Sequence, residues 1–368
     1  MLISEKKPIA FPQLIELAVR GLERMFDRER CLFVHSLRRS RGELRAEGLS
    51  PRYTLMTLLG LRCLEQEGGR SPVEIAPALR RLVEDVSWIT GAGDLGLLLW
   101  AVARIAPTRF AEVAERVDAA GALVRYKDAR QGHTMELAWY LTGLSYGLQG
   151  DAGISGRAGN AFSEKAAEAF RFLIANQGTR GIFGHLAAGK SVAGRLRGRI
   201  GSFADQVYPI YALVQFSKAV GQSEALARAL DCARTICEHQ GPNGEWWWHY
   251  DSATGKVAET YPVYSVHQDG MAPMALLALA DAAGEDFAGP VGRGLEWIGG
   301  RNDLAFDMRS EADGVIWRNF YLPRTERLLQ QLLGAGGEVD RGSIGKLRVN
   351  FECRPYELGW ALYALCGR

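Results

Sequence analysis

Apolar positions recur along this chain at helical spacing, and the helical segments are of two kinds that alternate. One kind carries charge on one side: 11–27, 72–89, 107–124, 163–176, 223–239 and 290–301. These read as outer helices, half in water. The other kind is apolar almost all round: 51–64, 94–105, 134–148, 205–220, 268–283 and 355–366. A helix with no polar face has to be covered on every side, so these read as inner helices. Six inner helices, each preceded by an outer one, predict an all-α (α/α)6 toroid in a single domain. Residues 1–50 supply the first outer helix and an arm of that domain, and 51–368 the remainder. Ser71-Pro72-Val73-Glu74 carries an N-cap serine with proline at the first helical position, which predicts a helix starting there. One more helix is expected near 323–333. Cys31 to Leu37 reads as a short strand, followed by a basic turn at Arg38-Arg39-Ser40-Arg41 that covers one end of the ring.

Since every inner helix comes after an outer one, all inner helices start at the same mouth. Their first residues are polar although the helices are not: Tyr53; Asp94; His133 and Glu136; Asp205, Gln206 and Tyr208; His267, Gln268 and Asp269; Arg354, Tyr356 and Glu357. Each acid alone reads as a helix cap. The set together, converging on one pit, reads as a pocket.

Part of the chain repeats. Gln177-x-x-x-Gly181-x-Phe183 is followed by Asp205 and Pro209, and Gln240-x-x-x-Gly244-x-Trp246 by Asp269 and Pro273. A repeated two-helix unit brings equivalent polar residues to one face. The two Gln-x-x-x-Gly-x-aromatic motifs resemble the repeat motif of the terpenoid cyclase and protein prenyltransferase toroids, where it ties outer helices together. The resemblance implies the toroid, an architecture shared with six-hairpin glycosidases and several polysaccharide lyases whose sites lie in the mouth. It does not extend to cyclase chemistry: the Asp-x-Asp-Asp and Asp-Asp-x-x-Asp strings are missing. Asp231-Cys232 lacks the spacer of the prenyltransferase zinc pair.

Three readings of function are open. The leading one is a carbohydrate-active enzyme, hydrolase or lyase, acting on an oligo- or polysaccharide, acidic in one version. Asp205 and Asp269, equivalent in the repeat, are the expected proton-transfer pair, assisted by His267 and Tyr208. Glu136, Glu259 and Glu357 are carboxylates that could replace either acid or contact substrate. Trp247, Trp248 and Tyr264 offer stacking faces, while Arg354, Arg197 and Arg199 would anchor an anion, the last two in a basic, glycine-rich flap over 184–202 with Lys190 and Arg195. For β-elimination, His267, Tyr208, Tyr264 and Arg354 would supply base and cation. The second reading is an isoprenoid cyclase or prenyl-transferring enzyme using the same aromatics. The third is a non-catalytic binding toroid.

Composition narrows the field. With 368 residues, 47% hydrophobic, the chain can bury a large core. A net charge of +2 gives no nucleic-acid footprint. Gly184-x-x-x-x-Gly189-Lys190-Ser191 matches the P-loop string, yet Gly194 and Gly198 break the helix such a loop requires and no βα alternation surrounds it, so no nucleotide site is read. Six cysteines without C-x-x-C spacing predict free thiols, and six histidines without an i, i+4 pair predict no metal site. No cofactor and no membrane span are expected, and a cytoplasmic location is the default.

Overall fold

The computed structural model describes residues 11–149, 156–186, 198–323 and 345–368. Twelve principal helices alternate along it. The odd ones lie outside: α1 Phe11–Arg24, α3 Ile75–Glu84, α5 Phe110–Arg116, α7 Gly156–Ile174, α9 Ser223–Glu238 and α11 Ala288–Ile298. The even ones lie inside: α2 Pro51–Gln66, α4 Ala92–Ile105, α6 Thr134–Gly147, α8 Ala204–Val220, α10 Ala272–Ala283 and α12 Pro355–Leu365. Each inner helix packs against the next, and α12 packs back against α2, which closes the (α/α)6 ring. The division has a simple cause. The interior of α4 is buried from Ala92 through Val102, whereas α3 buries only Ile75, Ala78, Leu79, Leu82 and Val83, one stripe at helical spacing.

Three predicted outer helices are reshaped. At Ser71 the expected cap forms a turn instead: its hydroxyl meets Val73 O at 2.6 Å and Val73 N at 3.3 Å, and α3 starts only at Ile75. Helix α5 stops at Arg116 because Asp118 turns left-handed (φ +47°), and short helical turns at Ala122–Arg125 and Lys127–Gln131 carry the chain on to α6. In contrast, α7 begins well before the expected Ser163. The helix expected near 323–333 falls on 324–344, outside the described residues.

Small sheets decorate the helix connections. Leu32–Ser40 pairs with Glu43–Leu49 in a hairpin, so Arg38 and Arg39 belong to the strand and the turn falls at Arg41-Gly42. Arg38 reaches Glu352 (2.8 Å) and the strand also pairs with Glu352–Cys353, which ties the hairpin to the entrance of α12. No described helix is long and apolar enough to cross a membrane.

The two repeat motifs perform one structural task twice. Gln177 Nε2 donates to its own Gly181 O (3.0 Å) and to Arg228 O of α9 (2.9 Å). Gln240 Nε2 donates to Gly244 O (3.0 Å) and to Pro290 O of α11 (2.9 Å). Each glycine is left-handed and lies against the next outer helix: a Cβ on Gly244 (φ +96°) would come 2.3 Å from Arg293 O. Phe183 and Trp246 are fully buried beneath. The motif thus stitches consecutive outer helices through a second hydrogen bond to a carbonyl of the next outer helix.

The far end of the bore is filled. Tyr146, Tyr211 and Tyr363 join their hydroxyls in a triangle (2.6, 3.1 and 2.6 Å), and Trp100 Nε1 donates to Tyr363 at 3.3 Å. The Trp100 ring stacks on Trp360 and Tyr211. Access to the interior is therefore from the mouth.

Candidate active site

Residues near the starts of α2, α6, α8 and α12, from the turn before α10 and from two connections line a cavity of about 200 Å³ in the mouth. Aromatic and thioether groups form most of its wall: Tyr53, Met56, Met135, Trp139, Tyr208, Trp248, Tyr264, Met271 and Tyr356, together with His267. Two cations, Arg52 and Arg318, complete it. A second, more polar cavity of about 320 Å³ shares Arg52 and is lined by Thr90, Lys127, Asp128, Gln131, His133 and Glu136.

Arg52 organises the boundary between the two cavities. Its Nε lies 2.7 Å from Asp94 Oδ1, and another guanidinium nitrogen is 3.9 Å from Glu136 Oε1. Asp94 is fully engaged, its Oδ2 accepting from Thr90 N (3.0 Å) and Thr90 Oγ1 (2.8 Å). Glu136 is not: its Oε2 is buried without a hydrogen-bond partner. Burial pushes its pKa up to about 7 against the pull of Arg52, and the charges of Asp128, Asp94 and Asp205 add to the rise. Of these two neighbouring carboxyls, Asp94 is fully hydrogen-bonded and Glu136 keeps one oxygen unpartnered.

On the other side, Arg318 lies 3.1 Å from Glu357 and 3.5 Å from Glu352, with its guanidinium over the Tyr264 ring at 5.1 Å. Burial raises Glu357 to about 7, opposed by Arg318. Its Oε2 accepts from Arg354 N, the reach-back bond of a helix cap. Arg354 is held by Glu352 (2.6 Å) and Tyr53 OH (2.6 Å), beside the cavity rather than in its wall.

Of the expected catalytic residues, Tyr208 and His267 do line the cavity. Tyr208 OH accepts from Trp360 Nε1 (2.9 Å), and burial holds its pKa well above the ordinary tyrosine value. His267 lies among Phe203, Trp248 and Tyr264, and burial lowers its pKa to about 3, so it stays neutral.

Asp205 and Asp269 are not brought together. Asp205 faces the connection before α8: its Oδ2 accepts from Ser202 N (2.8 Å), Ser202 Oγ (2.9 Å) and His185 Nδ1 (3.1 Å). Ser202 Oγ in turn accepts from Asp205 N, a reciprocal cap. The bond to Asp205 raises the His185 pKa. Asp269 is completely buried, with neither side-chain oxygen hydrogen-bonded, and burial, together with nearby Glu357, raises its pKa well above the ordinary carboxylate value. Neither acid appears in the cavity wall. The repeat equivalence fails locally because His267–Met271 is wound as a π-helix while Asp205 lies in an α-helix, so matched positions project differently.

The remaining expected contacts divide. Trp248 and Tyr264 line the cavity, whereas Trp247 is buried edge-on to Tyr261. Glu259 pairs across two strands with His249 (2.7 Å). Arg199 pairs with Asp251 (3.2 Å). Arg197, Lys190, Arg195 and the P-loop residues Gly189 to Ser191 lie outside the described residues. Among the described residues no group of three or more His, Cys, Asp or Glu is placed to hold a metal ion. Arg52, Trp139, His185 and Arg318 were not among the residues expected from sequence. Arg52 carried a signal, one residue from Tyr53 in the first turn of an inner helix; Arg318, in a connection, carried none.

Comparison with solved structures bears on the fold. An unsaturated glucuronyl hydrolase responsible for the degradation of glycosaminoglycan, from Bacillus sp. GL1, superposes with a TM-score of 0.60 at 16% identity, over 97% of this chain and 96% of that one. An α-1,6-mannanase from Salegentibacter sp. HEL1_6 gives 0.59 at 11% over 97% and 98%. A possible member of the GH105 family from Salmonella enterica gives 0.61 at 12% over 99% and 95%. The fold is that of six-hairpin glycosidases. Identities this low establish architecture alone. No protein-family model matches the chain, and no curated protein matches it.

Proposed function

We propose that the protein is a glycoside hydrolase that admits an acidic sugar to the aromatic cavity and cleaves its linkage with Glu136 as proton donor. The observation that carries this reading is Glu136 itself, a carboxyl whose pKa of about 7 leaves it half protonated at neutral pH, in the wall of the polar cavity that shares Arg52 with the aromatic one. In the proposed step Glu136 gives its proton to the leaving-group oxygen as the glycosidic C–O bond breaks. Water adds its hydroxyl to the sugar and its proton restores the carboxyl through solvent. Asp94 holds Arg52, which faces the substrate as a cation.

Hydrolysis is favoured over elimination because an eliminating base must lose its proton readily, and burial drives Tyr208, Tyr264 and Tyr356 the other way. An acidic sugar is favoured over a neutral one because Arg52 and Arg318, each also paired with carboxylates, offer guanidinium donors in the cavity wall to a substrate carboxylate. The structural neighbour from Bacillus sp. GL1, an unsaturated glucuronyl hydrolase, is named for such a sugar. Six unpaired cysteines suit a reducing compartment, and we place the enzyme in the cytoplasm accordingly.

The test is turnover of a panel of unsaturated-uronyl, saturated-uronyl and neutral manno-oligosaccharides, read as new reducing ends. At least one uronyl member should be cleaved, and Glu136→Gln should lower kcat by about 10²–10⁴. Full activity in Glu136→Gln would remove that residue from the chemistry.

A further inference from the structure

The start of α4 is built around two carboxyls. Gly91 precedes the helix and Ala92 and Gly93 open it, and Asp128 caps it from outside, its oxygens accepting from Ala92 N (3.2 Å) and Gly93 N (3.4 Å). Glu136, from α6, takes the other side. A Cβ on Gly93 would stand 1.5 Å from Glu136 Oε2 and 2.7 Å from its Cδ. The carboxyl therefore occupies the volume in which any side chain at position 93 would begin. We propose that Gly93 is a positioning residue for Glu136, its missing side chain being the niche that seats the carboxyl's Oε2 out of contact with water between α4 and α6.

This inference rests on the reading of Glu136 as proton donor for its functional meaning, though not for its geometry. Seated in the niche, Oε2 has no hydrogen-bond partner, and only Oε1 points toward a cation, Arg52 at 3.9 Å. The other charged or titratable groups around it are Asp94 on α4, Lys127 and Asp128 in the connection before α6, His133 at the start of α6, Asp205 on α8, and His185 beside Asp205. The acids among these disfavour a second negative charge, and the niche removes the water that would otherwise stabilise it. A side chain at 93 would drive the carboxyl outward, toward Arg52 and solvent.

The decisive experiment is a titration of the Glu136 carboxyl by ¹³C NMR in glutamate-labelled protein, assigned through the signal lost in Glu136→Gln. In Gly93→Ala the midpoint should fall by at least one pH unit from about 7, a proton affinity at least tenfold weaker. Gly96→Ala is the control: its Cβ would meet the backbone of Trp139 and Tyr140 at 2.4 Å and not the carboxyl, so it should lose stability without moving the midpoint. If Gly93→Ala is too unstable to titrate, adding Glu136→Ala should recover part of the lost stability, since it removes the carboxyl contacts at 1.5 and 2.7 Å and leaves the 3.1 Å approach to the Glu136 Cα. An unmoved midpoint in folded Gly93→Ala, or no recovery in the double variant, overturns the inference. A midpoint that falls while the pH profile of turnover stays in place upholds the positioning role and refutes the proton-donor assignment.

Discussion

A carboxyl kept neutral by burial should betray itself in stability before any substrate is found, and Glu136→Gln is the perturbation that reveals it. The folded-state pKa of about 7 lies above the ordinary 4.5, so the folded protein binds more protons than the unfolded chain between those values. Stability tied to this group is accordingly full below about pH 4.5 and is lost as pH rises through 7. At about 1.36 kcal/mol per pH unit, the loss approaches roughly 3 kcal/mol at pH 8, an upper bound because the side chain keeps some solvent contact. Glutamine has the same shape and no charge to desolvate, so the variant avoids this cost. An unfolding entropy of roughly 2.1 cal/mol/K per residue gives about 0.8 kcal/mol/K for a chain of this size. The variant should then melt about 4 °C above the wild type at pH 8 and level with it at pH 4.5, by differential scanning calorimetry. Equal displacement at both pH values, or a lower Tm at pH 8, would refute the claim that burial governs this carboxyl.

Two further outcomes are expected. Asp269→Asn replaces a fully buried acid, whose pKa burial raises, by a neutral isostere, so it should keep turnover and hold or gain stability as pH rises; loss of activity in a folded variant would return Asp269 to the chemistry. Gly244→Ala forces a left-handed residue to carry a Cβ 2.3 Å from Arg293 O, and should lose about 2–4 kcal/mol in urea unfolding with kcat unchanged among the molecules that remain folded.

The alternation of greasy and amphipathic helices was legible because burial on all sides demands apolar residues on all sides. Bounds of the inner helices match the sequence pattern closely for that reason. Outer helices were harder, since one stripe suffices there and a single left-handed Asp118 or a hydroxyl turned back on Val73 ends the pattern unseen. The mouth was readable as a place, through Tyr208, Trp248, Tyr264 and His267, but roles within it were not. Asp205 and Asp269 match in the repeat, yet one turn of π-helix separates their directions. What distinguishes Glu136 is the lack of a side chain on a neighbouring helix, and no spacing along the chain records that.

The triangle of tyrosine hydroxyls beneath Trp100 makes the bore a blind well. Whatever goes in must back out through the same opening, so no chain can be threaded through the ring. Arrival and departure of any occupant then compete for one doorway.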